Sequence, residues 1–314
     1  MAKPLSELSY HIRKKIQIYD LEDKAFVLSI SGGQDSMVLL HCFLELHTAW
    51  KPLRLKIFHV HHGTDSNENY RSSAQSLVVT AAQLNSIECV TNEKKAFGLH
   101  SEEGFRDLRK SEWDKLKSKG DILVTAHHRD DLFETRLHRL IRGTGVEGLI
   151  AMTEWNGETF RPLLEIRAKD ILDYSQKHNI SFVQDPTNLD TSYFRNWLRG
   201  VLLPGLEERQ SGAVNAFAQS LENIARIWQT QSEFYNTWID NEKIKRHAFI
   251  ALDASRQMQL LAEMLRMKNI NHYRRSQLDE VLKLLDRSQN DYTFEMLGCL
   301  WKVSSQWVEI LVLD

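Results

Sequence analysis

Residues 26–40, FVLSISGGQDSMVLL, constrain this chain more than any other stretch. An apolar run of strand character enters a polar turn, and the turn enters an apolar run of helical character. Gly32 and Gly33 carry no Cβ, so the turn can bend sharply and let a ligand approach its backbone. Ser31, Asp35 and Ser36 set hydroxyls and a carboxylate beside the first free N–H groups of the helix, where the helix dipole favours an anion. A polyphosphate is the ligand class that suits such a corner. Asp35 adds a hard oxygen donor for the Mg²⁺ that accompanies ATP. The Walker spelling G-x-x-x-x-G-K-S/T occurs nowhere in the chain, so this is a phosphate loop of another kind. An ordinary strand–turn–helix corner is the plainer alternative.

Around this corner the pattern alternates. Strands are expected at 26–31, 53–61, 87–91, 122–126 and 160–164, with helices at 36–46, 67–84, 102–119 and 131–141. Short apolar strands joined by amphipathic helices predict an α/β fold, a Rossmann-like parallel sheet with helices on both faces. Ligands of such sheets sit beyond the carboxyl ends of the strands. The Ser31 turn, His59 and His127 all fall at such ends. After about residue 205 the alternation stops. Helices are expected at 213–238, 260–267 and 276–285, followed by a strand-like tail at 300–313. The chain therefore reads as a catalytic domain, 1–204, and a smaller, mainly helical domain, 205–314. Tryptophan and tyrosine in the second domain read as core.

Forty Lys and Arg against 42 Asp and Glu give no global basic excess, so nucleic-acid binding would need a local patch. Cys42, Cys89 and Cys299 stand far apart with no C-x-x-C, which argues against a zinc ribbon or an iron–sulfur cradle. Sparse, unpaired cysteines suit a reducing compartment. Residues 1–10 lack the apolar core of a targeting signal and no stretch is long enough to span a bilayer, so the cytoplasm is expected and a membrane is not. A homodimer is left open.

A second constellation is VTAHHRDDLFET, residues 124–135. A strand delivers two histidines and a helix starts at the acidic pair, with Asp130 or Asp131 as its N-cap. Asp131, Glu134 and His138 share a helical face. Two carboxylates there can hold a metal or grip an ammonium; helix capping with a solvated acidic face is the alternative. Residues 142–148, RGTGVEG, spell the dinucleotide fingerprint but follow a helix rather than a strand, so they read instead as a mobile, substrate-facing loop. His59, His61 and His62 lack a cysteine partner, and strand alternation separates His61 from His62, so zinc is not expected; His59 can border a nucleotide. Ser101 is a candidate N-cap for a helix whose Arg106, Arg109 and Lys110 form a basic edge suited to phosphate. Arg195 and Arg199, four apart around Trp197, suit an RNA backbone or a developing phosphate charge, with ordinary salt bridging as the alternative. Lys243, Lys245, Arg246, Arg274 and Arg275 are candidates for contact with a nucleic-acid body or plain solvated surface.

Taken in order, SGGQDS (31–36), HVHH (59–62), EEGFRDLR (102–109), TAHHRDDLFET (125–135), RGTGVEGL (142–149), RPLL (161–164), DPTN (185–188) and RNWLR (195–199) resemble the tRNA(Ile)-lysidine synthetase family of the PP-loop ATP pyrophosphatase superfamily. The resemblance implies ATP-dependent adenylation of the wobble cytidine in the CAU anticodon of tRNA(Ile), followed by attack of the L-lysine ε-amine. It implies that Ser31, Gly32, Gly33, Gln34, Asp35 and Ser36 bind ATP with His59 and Arg109. It also implies that Asp35 and Glu134 hold Mg²⁺, that Asp131 binds the lysine ammonium, and that Arg106 and Arg195 attend phosphate or the activated base. His61 stands where the family has Asn, Thr64 and Asp65 replace Leu and Arg, and Lys110 replaces a Tyr. The longer members' last C-terminal domain is expected to be absent. A tRNA thiolase of the same superfamily is the alternative enzyme, and would need cysteines at the site. A silent ATP- or RNA-binding module is the non-enzymatic one.

Overall fold

The computed structural model describes residues 4–50, 53–63, 68–93, 102–150, 152–236, 238–240, 243–268, 270, 273–286 and 291–313. By contact the chain divides into two units, Met1–Glu134 with Met152–Gly205, and Thr135–Ala151 with Leu206–Asp314. The expected first domain would have included 135–151; the structure groups that excursion with the second unit.

In the first unit α1 (Glu7–Ile18) precedes five strands: β1 (Ala25–Ser29), β2 (Arg54–His59), β3 (Glu88–Thr91), β4 (Asp121–Val124) and β5 (Thr159–Phe160). They pair in parallel in the order β3-β2-β1-β4-β5. Helices α2 (Gln34–Ala49), α3 (Glu68–Leu84), α4 (Glu102–Leu116) and α5 (Arg129–Ile141) connect them, and α6 (Ala168–Lys177) follows β5. Strand β1 is central, and its apolar residues alternate between two cores. Phe26 and Leu28 pack with Phe43, Leu39, Ile12 and Phe160 on one side. Val27 packs with Phe58, Val60 and Trp113 on the other, under α4. A strand buried on both faces is what a doubly covered parallel sheet requires. The strand order reverses between β1 and β4, and the loops after these two strands carry the two constellations singled out above. That is the switch point where such sheets open a crevice.

The first unit ends in a run of short helical turns: α7 (Phe194–Trp197), a π-helical turn at Leu198–Leu202 and the start of α8 (Leu203–Arg209). In the second unit α9 (Ala213–Asn236), α10 (Arg246–Ile250), α11 (Ala254–Met267) and α12 (Arg275–Leu285) accompany an antiparallel sheet. Its strands are β6 (Ile239–Asp240), β7 (Lys243–Lys245), β8 (Tyr292–Met296), β9 (Cys299–Val303) and β10 (Trp307–Val312), ordered β6-β7-β10-β9-β8. The helices expected there are present. The tail foreseen at 300–313 is two strands of a five-stranded sheet. Trp301 is fully buried and stacks on Phe294 at 5.7 Å, so aromatic residues do serve as core.

Candidate active site

Phosphate-loop geometry comes from Ser31 and Ser36. Ser36 Oγ accepts from the Gly32 N–H at 3.2 Å, donates to the Gly33 carbonyl at 2.8 Å, and lies 3.1 Å from Ser31 Oγ. The Gly33 N–H donates to Ser31 Oγ at 3.3 Å. Gly33 is the N-cap of α2, so the loop ends with the unpaired N–H groups of a sixteen-residue helix. Gly32 has φ +90°, and a Cβ added there would lie 2.9 Å from the Ala74 Cβ. Its carbonyl accepts from the Val183 N–H at 3.0 Å, which draws the chain after α6 back to the loop. The Gln34 side chain is committed to α6, where Nε2 donates to Ser175 Oγ at 2.8 Å. His59 is buried with Nδ1 2.8 Å from the Ile30 carbonyl, one residue before the loop.

Asp35 projects from the first turn of α2 and Asp131 from the first turn of α5; His128 stands between them. Its Nε2 lies 3.6 Å from Asp35 Oδ2 and 3.5 Å from Asp131 Oδ2. Burial works against a charge on His128. The close approach of the Asp35 carboxylate and the fields of Asp131 and Asp130 outweigh it and hold its pKa above the usual imidazole value. The same residue caps α5: the His128 N–H donates to Asp131 Oδ2 at 3.1 Å, and the Asp131 N–H points back to His128 Nδ1 at 3.4 Å. Helix α5 therefore starts two residues earlier than its acidic pair predicts. Neither Asp130 nor Asp131 is the N-cap in the expected sense. Asp130 serves α6 instead, accepting from the Ala168 N–H at 2.7 Å.

Asp131 and Glu134 converge on one cation, the guanidinium of Arg199. Its Nη2 donates to Asp131 Oδ1 at 2.9 Å and its Nε to Glu134 Oε1. Glu134 is 2% exposed, and its Oε2 is buried with no hydrogen-bond partner among the described residues. Burial pushes its pKa up despite the arginine. Asp131 is held down, because the charges of His128, His127 and Arg199 and the His128 backbone hydrogen bond outweigh burial. An orphaned buried carboxylate oxygen on Glu134 and the half-exposed carboxylate of Asp35 suit a hard divalent ion.

Positive groups surround the other histidine. His127 Nδ1 is 2.8 Å from Thr125 Oγ1. Burial lowers its pKa to about 4, opposed by Asp131 and assisted by Arg161, Arg109 and Arg195. The charges of Arg109 and Arg195 are thus felt at His127, and that of Arg195 at Glu134 as well. Arg106 is exposed on α4. His61 is buried and tied to Asn92, which receives its N–H at 2.7 Å and donates to its carbonyl at 3.0 Å. The Thr64–Asp65 segment and the Ser101 cap lie outside the described residues. The glycine-rich stretch at 142–148 is tied down at its end. Arg136 Nε donates to the Leu149 carbonyl at 2.8 Å, Arg139 to the Gly148 carbonyl at 2.9 Å, and Leu149 is buried, so residues 148–149 are held against α5 while Arg142, Gly143, Gly145 and Val146 are exposed. Sequence reasoning missed His128 as the link between the two carboxylate turns and weighted Arg195 over Arg199. Its one signal for Arg199 was the four-residue spacing.

Residues 7–206 match the PP-loop domain family, so the class is a protein built on a pyrophosphate-binding loop. The tRNA(Ile)-lysidine synthase of Bdellovibrio bacteriovorus is 36% identical over 99% of this chain and 99% of its own length. Those of Pseudomonas putida and Nitrosomonas europaea are 33% and 30% identical over 65% and 86% of the chain, covering 48% and 61% of their own lengths. The chain belongs to the tRNA(Ile)-lysidine synthase family, as its ordered motifs imply. It spans nearly the whole Bdellovibrio relative and about half to three-fifths of the other two. Among solved structures, the U34-tRNA thiolase NcsA from Methanococcus maripaludis with its 4Fe–4S cluster aligns with a TM-score of 0.53 at 16% identity, over 70% of this chain and 78% of that one. That likeness bears on the fold alone.

Proposed function

We propose that this chain joins free L-lysine to the wobble cytidine of a CAU-anticodon tRNA(Ile), using ATP, and so forms a carbon–nitrogen bond. The observation that carries the proposal is the pairing of the Ser31–Ser36 loop with the Asp131–Glu134 face through His128. One crevice can then hold both a nucleotide and a cationic side chain. Cytidine O2 attacks the α-phosphate of ATP and pyrophosphate leaves. The lysine ε-amine then attacks C2 of the adenylated base, and AMP departs with the oxygen. Adenylation is needed because that oxygen is otherwise a poor leaving group.

The loop's N–H groups and hydroxyls would receive the phosphates. Asp35 and Glu134 would hold Mg²⁺, which when bound supplies charge neutralisation to the leaving pyrophosphate. Asp131 would bind the lysine ammonium. Arg199 already shows that this carboxylate pair accepts a side-chain cation. A carboxylate stabilises the ammonium rather than the reactive amine, so Asp131 selects and places lysine while another group takes its proton. His127 lies in the field of Asp131, and burial keeps it neutral. The second unit would carry tRNA contacts.

The thiolase alternative fits the cysteines poorly. Cys42 is fully buried with its thiol pushed up to about 12 by burial, and burial raises Cys89 as well. No helix among the described residues is long and apolar enough to cross a membrane. Incubation with ATP, Mg²⁺, labelled lysine and unmodified CAU-anticodon tRNA(Ile) tests the proposal. Label is expected in the tRNA, with AMP and pyrophosphate formed in equal amounts. Folded protein that transfers no lysine refutes it.

A further inference from the structure

We propose that His41, Glu45 and His178 form a binding site for a Zn²⁺-class transition-metal ion that clamps α2 to α6. His41 and Glu45 are four residues apart on α2 and so share a face. His178 is the C-cap of α6. One ligand atom from each of the three lies within 4.8 Å of the other two. Tetrahedral zinc needs ligand atoms about 3.3 Å apart, a contraction within reach of small side-chain rotations.

Surrounding groups orient each ligand as the outer shell of a metal site does. Three hydrogen bonds fall on one oxygen of Glu45: Ser6 N–H, Ser6 Oγ and Ser9 Oγ donate to Oε2 at 3.2, 2.5 and 2.7 Å. Oε1 is the oxygen left to turn toward the histidines. Tyr174 fixes both imidazoles. Its hydroxyl is 3.0 Å from His41 Nδ1 and 2.7 Å from Ser6 Oγ, and its ring stacks on His178 at 4.2 Å. The two histidine rings are 5.1 Å apart. Two imidazole nitrogens and one carboxylate oxygen select a late first-row ion over Mg²⁺, and the fourth position is open to water.

The place of the site gives it a consequence. Helix α2 begins at the phosphate loop, and Gln34 in its first turn bonds Ser175, three residues before His178. An ion at the far end of the same helix pair would stiffen the support on which the loop is built. None of the three ligands belongs to the proposed reaction, so failure here leaves the lysidine assignment standing.

The test uses tag-free, chelator-stripped protein titrated with Co²⁺ in the absence of nucleotide. One Co²⁺ per chain is expected, with the visible ligand-field bands of tetrahedral coordination. Zn²⁺ should displace it, excess Mg²⁺ should not, and the Tm should rise on binding. His178→Ala and Glu45→Gln, each with a parent-like circular dichroism spectrum, should weaken Co²⁺ binding by about tenfold or more. Absence of the bands in the parent, or bands unchanged in both variants, would overturn the proposal.

Discussion

Replacing Gly32 with alanine tests the loop geometry without touching a charge. At φ +90° an L-residue is strained, which costs about 1–3 kcal/mol. The new Cβ would also meet the Ala74 Cβ at 2.9 Å, with the Ala74 Cα and carbonyl oxygen at 3.1 and 3.2 Å. Two of those atoms are backbone of α3, so no side-chain rotation relieves the clash. Overpacking of this kind costs about 1–3 kcal/mol. Together the two effects predict a loss of about 2–6 kcal/mol, read by urea unfolding. Gly33 provides the control. Its φ is −76°, and the nearest atom to an added Cβ is Ser31 Oγ at an ordinary 3.5 Å. Gly33→Ala should therefore change stability by under about 1 kcal/mol. Pyrophosphate release should fall steeply in the first variant, because the Gly32 N–H to Ser36 bond and the Val183 N–H to Gly32 carbonyl bond both depend on that bend. Equal stability of Gly32→Ala and Gly33→Ala would refute this reasoning.

Three further outcomes separate the roles assigned at the site. Asp35→Asn and Glu134→Gln should each lower pyrophosphate release by about 10²–10³-fold while the chain stays folded, measured by a coupled phosphate assay. Asp131→Asn should raise the KM for lysine, with tRNA-dependent pyrophosphate release retained. His62 supplies a pH signature. Burial, assisted by Arg109 and Arg71, lowers its pKa to about 3, so the unfolded chain binds a proton below pH 6.5 that the folded chain refuses. Stability linked to His62 is present above pH 6.5 and is lost as pH falls toward 3. The loss is about 1–2 kcal/mol between pH 6.5 and 5, and it should shrink in His62→Phe.

Much of the first unit was legible because local pattern and tertiary role agree there. The apolar run at Phe26–Ile30 can only be a doubly buried strand, and the glycines after it can only be a tight turn. The acidic helix was visible for the same reason. Its start was not, because a histidine side chain rather than a carboxylate caps it. Arg199 was hard to rank above Arg195 because both sit in the same arginine–tryptophan run. Which one reaches Asp131 depends on the short helical turns at 194–202, and spacing does not specify those. In the second unit, strands β6, β7 and β8 are two to five residues long and mix charged with apolar side chains. The sheet position of β6 and β7 is decided by the pairing of β7 with β10, some sixty residues along the chain, whereas β8 pairs with β9 across a tight turn. At two and three residues, β6 and β7 are too short to show a period; β8, Tyr-Thr-Phe-Glu-Met, does alternate.

A crystal grown with Mg²⁺ and an α,β-methylene analogue of ATP probes the shared crevice most directly. The polyphosphate is expected on the turn from Ser31 to Ser36, with the ion contacting both Asp35 and Glu134. Nucleotide bound elsewhere in the molecule, with that turn vacant, would contradict the account.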